Sequence, residues 1–173
     1  MVTIGKAIAG GIPIGAYGVS AELGARIDAL DDADLIDVGG VGGTLAGNAL
    51  SMAAARATLG EVLTAEAFAA MLALCERFVA GVRGVLDEHD VAWTVVALGA
   101  RAELAFTPDP PRSGGASAAL HDAELEDVLH LFLLNRGVMI TPFHNMALMS
   151  PATTSADVDR HTEVFSEAVA ALV

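Results

Sequence analysis

Positive charge is scarce in this chain of 173 residues. Lysine and arginine together number nine, against 22 aspartates and glutamates, which leaves a formal net charge of −13. Binding to nucleic acid or to an anionic membrane surface requires clustered cations, so this composition argues against both classes of partner. Lys6 is the single lysine of the sequence.

Cysteine is equally scarce, since Cys75 is the only one. An internal disulfide and a cysteine-based metal cluster are therefore excluded, and the helical apolar surroundings of Cys75 predict a role in core packing. The five histidines include no pair at ligand spacing beside a carboxylate, so we predict no metal site. Only His144 lies in a segment that looks buried and irregular, and we expect it to be a core histidine.

A secretion signal is also missing, because no charged segment followed by an apolar core opens the sequence. Two long uncharged runs, 38–55 and 137–156, are interrupted by glycine or by proline. We interpret them as buried loops that lead into other elements rather than as membrane spans. With the single cysteine, these features predict a cytoplasmic protein.

The hydrophobic pattern divides the chain into two parts. Residues 1–63 indicate the end of a buried strand at 2–4, a glycine-rich loop without regular structure at 5–18, and a short helix at 20–30. An acidic connector and a second glycine-rich loop follow, and a long helix begins near residue 46. These irregular loops have no sheet of their own and resemble the tail of a preceding domain.

Residues 64–173 predict helix, strand, strand, helix, strand and helix, which is the order of a small α+β domain. The expected elements are a helix capped by Thr64, strands at 92–98 and 102–106, a loop at 108–117, a helix at 122–135, a strand at 138–140, a loop at 141–153, and a final helix capped by Ser155.

The solitary lysine lies in the apolar sequence GKAIAGGIPIGAYG at residues 5–18, and the nearest charged residue downstream is Glu22. An amine in apolar surroundings is a better nucleophile toward carbonyl groups, which is how an enzyme makes a Schiff-base lysine. The pattern therefore indicates a catalytic lysine. A plain solubilising charge near the start of the chain is the alternative interpretation.

Three other motifs do not occur in the sequence. The Gly5-Lys6-Ala7 triplet lacks the upstream glycine and the Ser or Thr of a phosphate-binding P-loop. No G-x-G-x-x-G pattern supports a dinucleotide fold, and no G-x-S-x-G elbow supports a serine hydrolase.

The lysine loop at 5–18 and the threonine loop GTLAGN at 43–48 together resemble class III, fold type I, pyridoxal-phosphate aminotransferases. The resemblance is closest to the glutamate-1-semialdehyde 2,1-aminomutase branch, and it covers the whole chain but only the C-terminal part of the family's length. It implies an α/β fold of the PLP-transferase type. Residues 1–63 would be the C-terminal remnant of the large PLP-binding domain, and residues 64–173 the small α+β domain.

The resemblance also implies roles for three residues. Lys6 would be the catalytic group, forming a Schiff base with pyridoxal 5'-phosphate and moving a proton on an amino acid or amine substrate. Gly43 and Thr44 would bind the cofactor phosphate, where a glycine loop before a helix start suits an anion. In this family the threonine reaches the site of the neighbouring subunit, which implies a homodimer.

Several features depart from the family pattern. Asn48-Ala49 stands where Asn-Pro is common, and residues 143–149 contain neither the substrate-binding arginine of some branches nor the usual aminomutase glutamate near Asn145. The family's other cofactor-binding elements would precede residue 1, so we expect a truncated and inactive isolated chain. A non-catalytic dimerisation or interaction module and a non-functional gene fragment are the alternatives.

Overall fold

The computed structural model describes residues 1–29 and 43–173. The acidic connector and the first part of the second glycine-rich loop lie outside the described residues. The chain divides into two compact units, Met1–Thr64 and Ala65–Val173. Within the described part, no single helix is long and apolar enough to cross a membrane, and only two consecutive helices taken together across a bend would qualify by length and composition.

The described part of the first unit contains two short strands and two α-helices. Strands β1 (Val2–Ile4) and β2 (Ala16–Gly18) flank a 3-10 turn at Lys6–Ala9, and helix α1 follows at Ala21–Asp28. Helix α2 (Ala49–Ala57) continues into a π-helical turn at Thr58–Val62. The start of α1 confirms the predicted cap, because Ser20 Oγ accepts a hydrogen bond from Leu23 N–H at 3.2 Å.

The prediction that the first glycine-rich loop has no regular structure is wrong at its end. β1 and β2 form an antiparallel pair in which Val2 faces Gly18, Thr3 faces Tyr17 and Ile4 faces Ala16. The glycines and Pro13 do interrupt regular structure, but the interrupted segment lies between two paired strands and does not simply follow one strand. The intervening residues therefore form a closed loop whose ends are held together by the β1–β2 pair.

The second unit places helices over an antiparallel sheet, as the sequence predicts. Its elements are α3 (Ala65–Glu88), β3 (Thr94–Leu98), β4 (Arg101–Ala105), α4 (Gly114–Ala118), α5 (Ala123–Leu134), β5 (Met146–Leu148) and α6 (Ser155–Leu172). The strands follow in the order β3-β4-β5, with Val95 opposite Leu104 and Ala102 opposite Ala147.

Side-chain alternation decides which face of the sheet is buried. Val95, Ala102 and Ala147 are nearly inaccessible and face the packed helices, while Leu98 and Arg101 lie on the opposite face. The core contains apolar residues from α3, α5 and α6: Cys75, Phe78, Val79, Val82, Val85, Leu86, Leu129, Leu133, Val158, Val164, Phe165, Ala168 and Val169. Arg77 joins α3 to α6 through two bonds to Asp159, at 2.6 and 2.8 Å.

The predicted third strand at 138–140 is wrong, because the third strand is Met146–Leu148. Val138 and Ile140 pack their side chains against the core without joining the sheet. The apolar run is therefore a correct signal of burial but not of strand pairing. Helix α4 interrupts the predicted loop at 108–117. The N-cap of α6 is Thr154, in a capping box with Asp157, and not the predicted Ser155.

Candidate active site

Lys6 begins the 3-10 turn in an unusual backbone conformation. Its φ is 58°, in the left-handed region that L-residues other than glycine rarely adopt, and Gly5 before it is extended. The side chain is exposed, so the apolar surroundings expected for the amine are not found in this structure. Among residues 1–29 and 43–173, no group lies within hydrogen-bond or ion-pair distance of the ammonium. Strained residues of this kind cluster at functional sites.

The end of the lysine turn is anchored in the first unit. Ala9 is 2% exposed, and Gly10 N–H donates to Ala7 O at 3.1 Å. Gly10 itself has a φ of 59°, and a Cβ atom there would lie 3.2 Å from Oγ1 of Thr58. The position therefore needs glycine both for its torsion angle and for its close approach to the π-helical turn.

The described part of the threonine loop is a tight double turn that leads into α2. Gly43 has a φ of 74° and accepts a hydrogen bond from Ala46 N–H at 3.1 Å, and Asn48 N–H donates to Leu45 O at 3.3 Å. Thr44 is exposed. Thr44 precedes by five residues a nine-residue helix, Ala49–Ala57, and the free N–H groups and dipole at a helix N-terminus favour an anion.

A chain of hydrogen bonds connects the threonine loop to the lysine loop. Asn48 Nδ2 donates to Leu45 O at 3.2 Å and to Ser51 Oγ at 3.0 Å, and Ser51 Oγ donates to Pro13 O at 2.8 Å. Asn48 Oδ1 also accepts from Ser51 N–H at 3.0 Å and so caps α2. Ser51 is 5% exposed. The buried Ser51 hydroxyl thus joins the two loops through a hydrogen bond between residues 38 positions apart in the sequence.

Asn48 and Ser51 were not predicted as site-supporting residues. The signal for Asn48 was available, because an asparagine directly before a helical apolar pattern is a typical N-cap. Ser51 gave no such signal, because a serine inside a helical pattern does not by itself indicate a structural role. Only the fold shows that its hydroxyl reaches the Pro13 carbonyl.

The structure brings the two loops together but not the three predicted site residues themselves. The lysine turn packs against α2 and the π-helical turn. Within the described residues, no hydrogen bond joins Lys6 to Gly43 or Thr44. A free primary amine, an exposed hydroxyl and a helix N-terminus are nevertheless the donor types that fit an aldehyde carrying a phosphate, so the residues present suit pyridoxal phosphate.

The prediction that His144 is a core histidine is wrong. His144 is exposed, with φ 62°, in the turn before β5, and its Nδ1 lies 3.5 Å from Glu103 Oε1. The buried histidine is His161 of α6, stacked against Phe165 and beside Phe78, with ring centroids 5.7 and 4.4 Å away. Its Nδ1 has no partner, and burial lowers the pKa of His161 to about 4.

The prediction for Cys75 is confirmed, because its side chain packs in the core of the second unit. Burial, assisted by the neighbouring Glu76 carboxylate, raises the pKa of the Cys75 thiol. The thiol is therefore a packing group, since an accessible thiolate is needed for nucleophilic chemistry.

Comparison with known proteins decides the family. The family model for class III aminotransferases matches residues 1–169. The chain belongs to the class III aminotransferase family. Members of this family are pyridoxal-phosphate-dependent enzymes, and the predicted family is confirmed. A curated relative, glutamate-1-semialdehyde 2,1-aminomutase from Sorangium cellulosum, is 31% identical over 172 residues. The alignment covers 99% of this chain and 38% of the relative, so the chain spans well under half the length of the curated relatives that it matches.

Solved structures of an aminomutase and of an aminotransferase show the same fold. A lysine-to-alanine variant of a glutamate-1-semialdehyde aminomutase from Pseudomonas aeruginosa, in complex with PMP, matches with a TM-score of 0.92 and 43% identity, covering 99% of this chain and 39% of that protein. A β-phenylalanine aminotransferase from Variovorax paradoxus matches with a TM-score of 0.77 and 28% identity, covering 98% and 38%. The fold is therefore the α/β fold type I of PLP-dependent transferases, as predicted.

Proposed function

We propose that this chain supplies the reactive lysine and a phosphate-binding loop to a PLP-dependent enzyme that transfers an amino group. The observation that carries the proposal is the strained, accessible Lys6 on a turn tied by hydrogen bonds to the threonine loop, in a member of the class III family. The reaction is that of an aminotransferase or of a glutamate-1-semialdehyde-like aminomutase. The substrate is a small amino acid or amine.

The bound cofactor would supply the electron sink that stabilises negative charge at the substrate Cα. Lys6 would hold the cofactor covalently through its Nζ and, once that amine is released, carry the proton to and from the substrate Cα. Gly43 and Thr44 would bind the phosphate through backbone N–H groups and a hydroxyl. Ser51 and Asn48 would keep the two loops in register, because they connect the Pro13 carbonyl to the start of α2.

The proposed assembly is a homodimer in which Thr44 serves the neighbouring subunit's site. Large apolar side chains of the first unit are exposed in the single chain, including Leu45 at 80% and Leu50 at 68%, and such surfaces are covered in an assembly. The single cysteine fits a reducing compartment, and we propose the cytoplasm. Residues 1–63 would belong to the large PLP-binding domain and residues 64–173 to the small domain.

The lysine assignment can be tested on the 173-residue polypeptide. Incubation with pyridoxal phosphate, reduction with borohydride and peptide mapping should place the pyridoxyl group on Lys6 in preference to the N-terminal amine. Lys6→Ala should remove that label. Exclusive labelling of the N-terminus would contradict the assignment. Because Lys6 is exposed in this chain, we expect labelling without measurable transamination, and turnover by the polypeptide alone would contradict this second expectation.

The phosphate assignment needs a sharper comparison, because any accessible lysine reacts with an aldehyde. The N-terminal amine of the same chain serves as the reference, because free pyridoxal closes to a hemiacetal and reacts more slowly with any amine. At a concentration where the chain is dimeric, pyridoxal phosphate should exceed pyridoxal by a larger factor at Lys6 than at the N-terminus, and Thr44→Ala should remove this excess. Thr107→Ala, in a loop of the second unit, is the matched control and should preserve it. The same factor at both amines of the dimeric chain would show that Gly43 and Thr44 do not bind the phosphate.

A non-catalytic interaction module is the second candidate function. The well-packed second unit and the exposed apolar side chains of the first favour it. In that case the polypeptide would bind its partner equally well with and without Lys6, and Lys6→Ala would leave the phenotype unchanged.

A further inference from the structure

The second unit contains a groove that the proposed transfer chemistry does not use. It lies on the outer face of β3 and β4, is covered by residues 106–121, and has a volume of about 750 Å³. Its walls are largely apolar and include Val96 and Leu98 of β3 and Leu120. A groove of this size and character, with a few polar groups, suits a small organic molecule.

One of the two carboxylates in the groove already has a permanent counter-ion. Glu103 forms an ion pair with Arg101, two positions along β4, and its other oxygen lies 3.5 Å from His144 Nδ1. The guanidinium remains protonated at any pH that the protein meets. The negative charge of Glu103 is therefore compensated within the chain.

The second carboxylate, Glu126, is not compensated in this way. Its side chain is only 15% exposed, and its partner is His121, whose Nδ1 lies 2.8 Å from Oε1. Unlike a guanidinium, an imidazole is not a permanent cation. In the described part of the chain, no lysine or arginine lies within ion-pair distance of Glu126. The groove thus combines apolar walls with one largely buried carboxylate that has no permanent counter-ion.

We propose that this groove binds a small organic ammonium with an apolar body. The ammonium would contact the Glu126 carboxylate, where a charge-assisted hydrogen bond is strongest because solvent is largely excluded. The apolar body would rest against Val96, Leu98 and Leu120. The net charge of −13 favours the approach of a cation over that of an acid.

The probe set separates charge from apolar contact. Phenethylammonium, the equally shaped 2-phenylethanol and the anionic 3-phenylpropionate are titrated into the full chain, with binding followed by calorimetry and by NMR shifts of β3, β4 and α5. About 0.15 M salt screens the general negative field of the protein. We expect the ammonium to bind roughly tenfold more tightly than the alcohol. Equal affinity for the two, or tighter binding of the acid, would overturn the proposal.

Two glutamates on the same helix give a matched pair of variants. Glu124 and Glu126 both lie in the first turn of α5, but only Glu126 lines the groove. Glu126→Gln should abolish the preference for the ammonium over the alcohol, whereas Glu124→Gln should preserve it. If both variants reduce the preference equally, the ammonium is attracted only by the general charge of the protein and the proposal is wrong.

A third variant keeps the proposal testable even if Glu126→Gln does not fold. Arg101→Gln removes the cation that neutralises Glu103 and so adds a second unbalanced carboxylate to the groove. It should tighten binding of the ammonium several-fold. Weaker binding in this variant would mean that Arg101 is itself the ligand-binding charge, and the groove would then be a site for acids.

Discussion

Lys6 has a backbone conformation that its side chain does not favour. A φ of 58° places Cβ close to the following carbonyl oxygen, which for an L-residue other than glycine costs about 1–2 kcal/mol. The anchored residues that follow, Ala9 and Gly10, keep the turn in place. A strained residue that a fold maintains is expected where its side chain must point in one particular direction.

The strain at Lys6 predicts that glycine at this position is more stabilising than alanine, the reverse of the usual order in regular structure. Lys6→Gly should stabilise the turn by about 1 kcal/mol relative to Lys6→Ala, because glycine adopts this torsion angle without strain. Amide hydrogen exchange at Gly10, whose N–H closes the turn onto Ala7, measures the local opening. Ala7→Gly is the control and should speed exchange, since Ala7 has no positive φ. Equal exchange rates in Lys6→Gly and Lys6→Ala would contradict the strain.

His161 predicts how stability depends on pH. Burial keeps the imidazole neutral in the folded protein, with a pKa of about 4 against an ordinary value of 6.5. The unfolded chain therefore takes up a proton first as the pH falls, and stability is lost between about pH 6.5 and 4. The full difference corresponds to about 3 kcal/mol in the free energy of unfolding. The carboxylates of Asp157 and Asp159 have lowered pKa values and act below this window.

Urea unfolding at a series of pH values checks this prediction. His161→Phe should flatten the pH dependence between about pH 6.5 and 4, since a phenyl ring can occupy the space between Phe78 and Phe165 without titrating. Phe165→Leu is a packing control that should lower stability by a similar amount at every pH. An unchanged slope in His161→Phe would assign the acid sensitivity to other groups.

At the scale of elements, α3 and α6 approach each other closely at Gly81. A Cβ atom at Gly81 of α3 would lie 3.0 Å from Cγ2 of Thr162 and closer still to its hydroxyl. Thr162 Oγ1 donates to Val158 O at 3.1 Å, so its side chain is not free to turn away. The absence of a side chain at Gly81 therefore determines how closely these two helices approach.

Gly81→Ala should destabilise the second unit by about 1–3 kcal/mol, because it overpacks this contact. Gly84 lies on the same helix, and a Cβ atom added there would have nothing within 4 Å. Gly84→Ala should instead stabilise by up to about 1 kcal/mol through helix propensity. Denaturant unfolding of the two variants should give opposite signs, and two changes of the same sign would show that the helices adjust to the added group.

Element by element, the sequence predicted most where a residue's local surroundings decide its structure. Ser20 before an apolar pattern specified the start of α1, and the apolar stripe through Phe78 specified the buried face of α3. It predicted least where a distant partner decides. Val138–Ile140 and Met146–Leu148 are equally apolar, and only pairing with β4 selects the latter as a strand. The buried partner of Pro13, Ser51, is likewise visible only in the fold.

At the scale of the whole molecule, the two units differ in how much they bury. Of the buried apolar residues in the described part, only Ala9 and Ala55 belong to the first unit. The second unit has a continuous core drawn from three helices and a sheet. The first unit also leaves about half of large side chains such as Leu59 and Met52 exposed, which limits what their burial contributes in the single chain.

This difference predicts that residues 65–173 fold alone and residues 1–64 do not. Burial of apolar area is the main favourable term in folding, and about a hundred residues with such a core normally suffice. Among the described residues of the first unit, only two alanines are buried apolar residues, which is too little to offset the conformational entropy of ordering them. Each segment is expressed separately, and cooperative urea unfolding and dispersed amide NMR shifts are measured beside those of the full chain. We expect both signatures for 65–173 and neither for 1–64. A cooperative transition in 1–64 would show that its loops, including the bonds that connect Asn48, Ser51 and Pro13, are stable without further cover.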